Sequence, residues 1–115
     1  MATTIAGFVL RATNRQETAR FYAELGLHTR EHKHGGPAHH EVMPMADTCV
    51  MEIYAASPDF PKDALMLIVD SIETALQVAS EFGIQATTDV SVLEDTKFVY
   101  ITDPDGRPVL LIENK

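Results

Sequence analysis

The sequence has few basic residues, a single cysteine and no tryptophan. Its 115 residues include 9 Lys and Arg against 17 Asp and Glu, which gives a formal net charge of −8 at pH 7. Binding to a phosphate backbone depends on clustered Lys and Arg, so nucleic acid is not an expected partner. The net negative charge favours cationic ligands over anionic ones.

Long apolar runs are also absent from the sequence. A helix that crosses a bilayer needs about 20 consecutive apolar residues, so no membrane partner is expected. The lone Cys49 cannot form an internal disulfide, and the first residues lack the basic start and apolar run of a secretory signal. These features predict a soluble, cytoplasmic protein.

What the sequence does contain is one pattern that occurs twice. In the first half, the mostly apolar segment 5–12 predicts a strand. Asn14 and Glu17 then form a capping pair that opens a helix, and Gly26 stands where a left-handed helix end is needed. In the second half, the strand is predicted at Ala64–Val69 and the helix closes at Gly83.

The second helix repeats the opening signal of the first. Asp70 and Glu73 have the three-residue spacing of a capping pair. Three extended segments follow each helix, and they are predicted at 27–33, 39–44 and 48–54 in the first half and at 84–88, 97–102 and 108–112 in the second.

Each half therefore has the order βαβββ. The predicted fold class is α+β, with two tandem βαβββ modules forming curved mixed sheets around a cleft. The modules are residues 1–56 and 62–115 of a single domain, and a segment with two prolines joins them.

Four short motifs connect this layout to a known superfamily. They are Phe21-Tyr22, Leu25-Gly26-Leu27, Asp103-Pro104-Asp105-Gly106 and the terminal Leu111-Ile112-Glu113. In their order and spacing the chain resembles the vicinal oxygen chelate superfamily, which includes glyoxalase I, bleomycin-resistance proteins, fosfomycin-resistance enzymes and extradiol dioxygenases. The resemblance covers essentially the whole chain, and it implies a homodimer.

The resemblance also implies four metal-ligand positions, two in each module. They correspond to Gly7, Glu52, Ala64 and Leu110. Only Glu52 has a donor atom, and one carboxylate does not compete for a transition metal against sites with three or four protein ligands. No cofactor is therefore predicted. The resemblance is then to the metal-free branch, whose bleomycin-resistance proteins sequester a drug, and the predicted function is binding of a drug-like or metabolite ligand.

Several side chains are candidates for contact with that ligand. Glu52 shares a strand face with Tyr54, and among apolar neighbours its carboxylate suits a general base or the partner of a cationic group. A purely structural ion pair is an equal alternative for Glu52. Arg11 is either its partner, a binder of an anionic ligand, or a solvated strand end. Met66 suits a soft apolar lining, with ordinary core packing as the alternative.

All five histidines lie between positions 28 and 40. No pair has a zinc-motif spacing, which favours a solvated hairpin or a ligand-gating loop over a metal site. His39 and His40 point to opposite faces of a strand, and one of them is expected beside Glu52. The rival function is a lyase or isomerase that uses Glu52 as a base, or a divalent metal held by Glu52 and the histidines.

Overall fold

The computed structural model describes residues 1–33, 37–43 and 49–114. The elements in chain order are β1 (Thr3–Ala12), α1 (Arg15–Glu24), β2 (His28–His32), β3 (His39–Met43), β4 (Val50–Ala55), β5 (Ala64–Val69), α2 (Ile72–Glu81), β6 (Ser91–Leu93), β7 (Thr96–Thr102) and β8 (Pro108–Asn114). This order confirms the predicted α+β class and the repeated βαβββ pattern. Within the described ranges, neither helix has the length and apolar content that a membrane crossing requires.

The chain divides into two compact units. The first unit is Gly7–Asp63, and the second is Met1–Ala6 together with Ala64–Lys115. The sheet of the first unit has the strand order β2-β3-β4-β1, in which β1 runs parallel to β4 and the other neighbours are antiparallel. The second unit contains the order β5-β8-β7-β6, with β5 parallel to β8. Both sheets are therefore mixed, as predicted.

Helix α1 begins and ends where its sequence signals stand. The side chain of Asn14 accepts a hydrogen bond from the backbone N–H of Glu17 at 3.1 Å, which satisfies one N–H of the first turn. Gly26 has a φ of 103°, and the next residue, Leu27, donates its N–H to the carbonyl of Tyr22 at 3.0 Å. This left-handed end satisfies a carbonyl of the last turn.

Helix α2 is capped one residue later than predicted. Its N-cap is Ser71, whose hydroxyl oxygen accepts the backbone N–H of Thr74 at 3.1 Å. The predicted pair of Asp70 and Glu73 is therefore wrong. The Asp70 carboxylate instead accepts the backbone N–H of Ala2 at 3.0 Å, so it ties the start of the chain to the end of β5.

The predicted strand at 84–88 is also wrong. No strand forms there, and β6 lies at Ser91–Leu93 instead. Thr87 does donate its N–H to the carbonyl of Tyr100 at 2.7 Å, but the N–H of Tyr100 is then taken by the Thr88 hydroxyl at 3.1 Å. A side chain thus replaces the backbone partner that a ladder needs, and pairing stops. Pro44 and Thr48, at the ends of two other predicted strands, lie outside the described residues.

Each helix packs on one face of its own sheet. In the first unit, Ala19 of α1 lies in a buried cluster with Ala12, Val42 and Ile53. Ile53 is fully buried, and burying such a side chain contributes about 1.5–3 kcal/mol. Because side chains alternate along a strand, the neighbours of these residues point to the face that α1 does not cover. That face carries the site described next.

Candidate functional site

Strand register brings a set of polar side chains onto one face of the first unit. Glu41 on β3 lies directly opposite Glu52 on β4, and Arg11 on β1 is the register partner of Tyr54 on β4. Directly paired residues project to the same side of a sheet, and so does His39, two residues before Glu41. We refer to Arg11, His39, Glu41, Glu52 and Tyr54 as the polar face.

His39 is at the centre of the polar face. Its side chain is fully buried, and its ring stacks on Tyr54 with centroids 4.5 Å apart and an interplanar angle of 16°. Its Nε2 atom lies 3.1 Å from Oε2 of Glu52 and 3.5 Å from Oε2 of Glu41. One imidazole thus faces two carboxylates.

Glu41 is held from its other side by an arginine. Nε and Nη2 of Arg30 on β2 both donate to Oε1 of Glu41, at 3.1 and 2.9 Å. Arg30 is the register partner of Glu41, so this contact follows from strand pairing. Two charge-assisted hydrogen bonds to one carboxylate fix its orientation. Glu41 is 92% buried, whereas Arg30 is more than half exposed. Oε1 is therefore held by Arg30 while Oε2 is directed at His39.

Arg11 is positioned by aromatic rings. Its guanidinium carbon lies 4.8 Å from the ring centre of Tyr54 and 4.8 Å from that of Phe60. A cation between two rings gains the attraction of both π faces. The backbone N–H of Arg11 donates to the Asp63 carboxylate at 2.8 Å, which fixes the strand at this end. The half-buried charge of Arg11 is thus held at the edge of the polar face.

Comparison with solved structures gives the fold a name. A hypothetical protein from Bacillus halodurans has a TM-score of 0.74 at 15% identity, covering 100% of this chain and 96% of that chain. A glyoxalase/bleomycin resistance protein/dioxygenase superfamily member from Vibrio splendidus has a TM-score of 0.70 at 12% identity, covering 99% and 100%. The chain has the glyoxalase/bleomycin-resistance fold. The resemblance seen in the sequence motifs is therefore confirmed at the level of the fold.

Other structures with this fold carry defined activities in their names. A glyoxalase I mutant from Zea mays matches with a TM-score of 0.72 at 16% identity, covering 97% of this chain and 43% of that chain. Methylmalonyl-CoA epimerase from Mycobacterium tuberculosis matches with a TM-score of 0.64 at 13% identity, covering 95% and 85%. No protein-family model matches the sequence, and no curated protein does.

Three of the four metal positions that the glyoxalase/bleomycin-resistance resemblance implies are occupied by residues without a donor atom. Ala64 and Leu110 are buried apolar residues of the second unit. Gly7 has a φ of 137°, and a Cβ built on it would lie 1.7 Å from the carbonyl oxygen of Val50. Position 7 therefore has no room for any side chain in this backbone. Glu52 is the remaining member of the set, and its near neighbours are His39 and Glu41.

The structure brings some of the predicted ligand-contacting residues together and separates others. Arg11, His39, Glu52 and Tyr54 lie together on the polar face. His40 points to the opposite face, with Val42 and Ile53. Met66 belongs to the second unit, where it is 2% exposed on β5. Ligand contact by His40 and Met66 stays a prediction that these placements do not support.

His40 has a separate electrostatic setting. Burial lowers the pKa of His40 below its ordinary value, and the nearby Arg15 lowers it further, while Glu31 raises it. The neutral imidazole is therefore favoured. Of the other histidines, His32 contacts the His39 ring edge-on at 5.8 Å between centroids. His34 and the side chain of His28 lie outside the described residues.

Sequence reasoning missed Glu41 and Arg30 as members of the site. The alternation along the predicted strand 39–44 already placed Glu41 on the face of His39. What it could not supply was the register that sets Glu41 opposite both Glu52 and Arg30. Within the described residues, His39, Glu41 and Glu52 form one group whose donor atoms all lie within 4.8 Å of one another.

Proposed function

We propose that the protein binds and sequesters a small drug-like or metabolite molecule at the polar face of its first unit. The observation that carries this proposal is the continuous set of contacts from Arg11 through Tyr54 and His39 to Glu52, at 4.8, 4.5 and 3.1 Å. Arg11, Tyr54 and Glu52 are partly exposed, with 14% of the Glu52 side chain accessible, so they are held in place and still reach solvent. Fixed polar groups beside an aromatic ring are typical of small-molecule sites.

The charges on this face indicate the chemistry of the ligand. Arg11 and Arg30 stand with Glu41 and Glu52, so the face itself has no strong bias of sign, in contrast to the whole chain at −8. The face therefore suits a ligand with both an acceptor for Arg11 and a donor for Glu52.

A binding screen with probes of different charge tests the proposal. Catechol, bleomycin and methylmalonyl-CoA are neutral, cationic and anionic, and each appears in the names of proteins with this fold. Untagged, chelator-treated protein is titrated with each by thermal shift and then calorimetry. We expect saturable binding of at least one probe. Arg11→Lys keeps the charge but loses the planar fork, and it should weaken binding about 10-fold or more.

The control is Arg20→Lys, because Arg20 is an exposed residue of α1 on the other side of the sheet. It should leave the affinity unchanged. Binding that Arg11→Lys and Tyr54→Phe both leave intact would place the ligand elsewhere. No response to any probe by the wild-type chain would remove the support for these ligand classes.

A second candidate function is a lyase or isomerase with Glu52 as general base. The contact of Glu52 with the His39 imidazole favours it, because a proton taken by the carboxylate has an acceptor 3.1 Å away. Each probe that binds is incubated with the protein and followed by mass spectrometry and proton exchange. Glu52→Gln should then abolish turnover and keep binding. Turnover that survives in Glu52→Gln would exclude Glu52 as the base.

We also infer a homodimer in the cytoplasm. Large apolar side chains remain exposed on the described surface, among them Phe21, Leu25 and Phe82, and a second subunit would cover some of this area. The single cysteine is consistent with a reducing compartment. Light scattering should give twice the chain mass of 12.7 kDa, and a value near the chain mass itself would contradict the dimer.

A further inference from the structure

We propose that His39, Glu41 and Glu52 form a site for a divalent first-row transition metal ion. Each residue offers one donor atom, a ring nitrogen or a carboxylate oxygen, and these three atoms lie within 4.8 Å of one another. Nε2 of His39 also lies near Oε2 of both glutamates. One imidazole nitrogen with two carboxylate oxygens is a donor set that suits Mn²⁺, Fe²⁺ or Zn²⁺. This inference goes against the metal-free function expected from the sequence, and it does not depend on the organic ligand proposed above.

The separations between the donors match those around one ion. Metal–nitrogen and metal–oxygen bonds of about 2.1 Å place neighbouring ligands about 3.0 Å apart in an octahedron and about 3.4 Å apart in a tetrahedron. His39 Nε2 lies 3.1 Å from the Glu52 oxygen and 3.5 Å from the Glu41 oxygen. Both separations from His39 Nε2 are thus those of ligands around a single centre, and the whole group lies within 4.8 Å.

Charge and burial at the strand pair also favour a cation. Glu41 and Glu52 are directly opposed across β3 and β4, and like charges in this relation destabilise a sheet. Their side chains are only 10% and 14% exposed, so water screens them little. Arg30 is bound to Oε1 of Glu41, on the side away from His39. A divalent ion between the Oε2 atoms would neutralise both carboxylates.

The surrounding residues hold the donors in the way that outer-shell residues do at metal sites. Arg30 fixes Glu41 through two hydrogen bonds to Oε1, while Tyr54 stacks on the His39 ring and His32 contacts its edge. Such partners orient the residues that bind the metal directly, and their loss typically weakens metal binding about 10–100-fold. Arg30 is therefore assigned as a positioning residue of this site.

The site differs from the arrangement implied by the glyoxalase resemblance. That arrangement takes two ligands from each module, at positions that here are Gly7, Glu52, Ala64 and Leu110. The proposed centre uses Glu52 with two donors from the neighbouring strand β3, all within the first unit. One unit thus supplies the whole donor set.

Metal titration of the untagged full chain tests the inference. Chelator-treated protein is titrated with Zn²⁺ and Mn²⁺ by calorimetry, and the bound metal is counted by mass spectrometry after dialysis. We expect one ion per chain. Glu41→Gln and Glu52→Gln keep the side-chain shape but remove the anionic ligand, and each should weaken affinity about 100-fold. Arg30→Gln should weaken it about 10-fold or more.

Glu31→Gln is the matched control. Glu31 lies on β2 in the same sheet, but it points away from the polar face and contacts Arg15. The metal affinity of Glu31→Gln should equal that of the wild type. Equal affinities in Glu31→Gln, Glu41→Gln and Glu52→Gln would overturn the site, and so would less than a tenth of an equivalent of bound metal in the wild type.

A measurement on the wild type alone covers the case in which a variant does not fold. Mn²⁺ broadens NMR signals of nearby nuclei, so it should broaden those of His39 and Tyr54 first and leave those of Arg20, exposed on α1 across the sheet, less affected. Broadening that begins at other residues would overturn the proposal. Uniform weak broadening would show surface association only and would overturn it as well.

Discussion

Replacing Gly7 by a residue with a side chain should destabilise the protein strongly, because Gly7 lies within β1 directly beside Val50 of β4. Gly7 has a φ of 137°, a region that residues with a side chain rarely adopt. A Cβ at this position would also lie 1.7 Å from the carbonyl oxygen of Val50 and 2.8 Å from its nitrogen. These contacts are with backbone, so no side-chain rotation can relieve them. Gly7→Ala must therefore move β1 away from β4.

The magnitude has two parts. Strain from the backbone angle costs about 1–2 kcal/mol, and displacing well-packed structure to admit a methyl group costs about 1–3 kcal/mol. We expect Gly7→Ala to lower the free energy of unfolding by about 3 kcal/mol. Gly26→Ala is the matched control, because Gly26 also has a positive φ but its Cβ would meet nothing within 4 Å. It should cost only the strain of the backbone angle, about 1–2 kcal/mol.

Urea unfolding followed by circular dichroism measures both variants. The dependence of the unfolding free energy on urea concentration should be the same in both variants, so that their urea midpoints compare the free energies directly. At about 3–6 °C per kcal/mol for a chain of this size, the thermal midpoint of Gly7→Ala should fall by about 9–18 °C. A loss no larger than that of Gly26→Ala would refute the close approach of β1 to β4. It would also remove the steric reason why position 7 carries no metal ligand.

Three further predictions concern the framework. Ile53→Ala should lower the free energy of unfolding by about 2–5 kcal/mol in urea titrations, because Ile53 is fully buried; a smaller loss would show that the α1 core collapses around the gap. Ser71→Ala should cost about 1 kcal/mol, since Ser71 caps α2, and a loss below that of Ser80→Ala would contradict this. The backbone hydrogen bond from Arg107 lowers the pKa of Asp103, so stability that is present above pH 3.8 is lost as the pH falls through the folded-state value. Asp103→Asn should remove this dependence from urea midpoints measured between pH 5 and pH 2, and Asp105→Asn should retain it.

The fold was largely predictable because its signals are local. Apolar periodicity and a capping side chain determine each helix, and the Asn14 cap and the Gly26 end need only a few adjacent residues. Errors arose where two residues compete for one role. Asp70 and Ser71 both offer a capping oxygen, and Ser71 takes the helix because Asp70 bonds to Ala2 at the start of the chain. Ala2 and Asp70 are 68 residues apart in the sequence, so this contact cannot be predicted from neighbouring residues.

The site was predictable only in part, for the same reason. Alternation along one strand places Glu52 and Tyr54 together, and it separates His39 from His40. It does not say which histidine meets Glu52, because a shift of one residue in the β3–β4 pairing reverses the answer. The observed register sets Glu41 opposite Glu52 and thereby brings His39 into contact with both. The three-donor group is thus a product of tertiary pairing.

Glu52 belongs both to the proposed ligand site and to the proposed metal site, so the two binding events must be coupled. If the organic ligand uses a carboxylate oxygen that the metal needs, each will weaken the other by the same factor. If the ligand instead coordinates the metal beside Glu52, each will strengthen the other equally. Calorimetric titration of Zn²⁺ with and without a saturating organic probe measures this factor, and the reverse titration must return the same value. Independent affinities would show that at least one of the two ligands does not contact Glu52. In that case, Glu52→Gln identifies which one, because the variant weakens only a ligand that contacts Glu52.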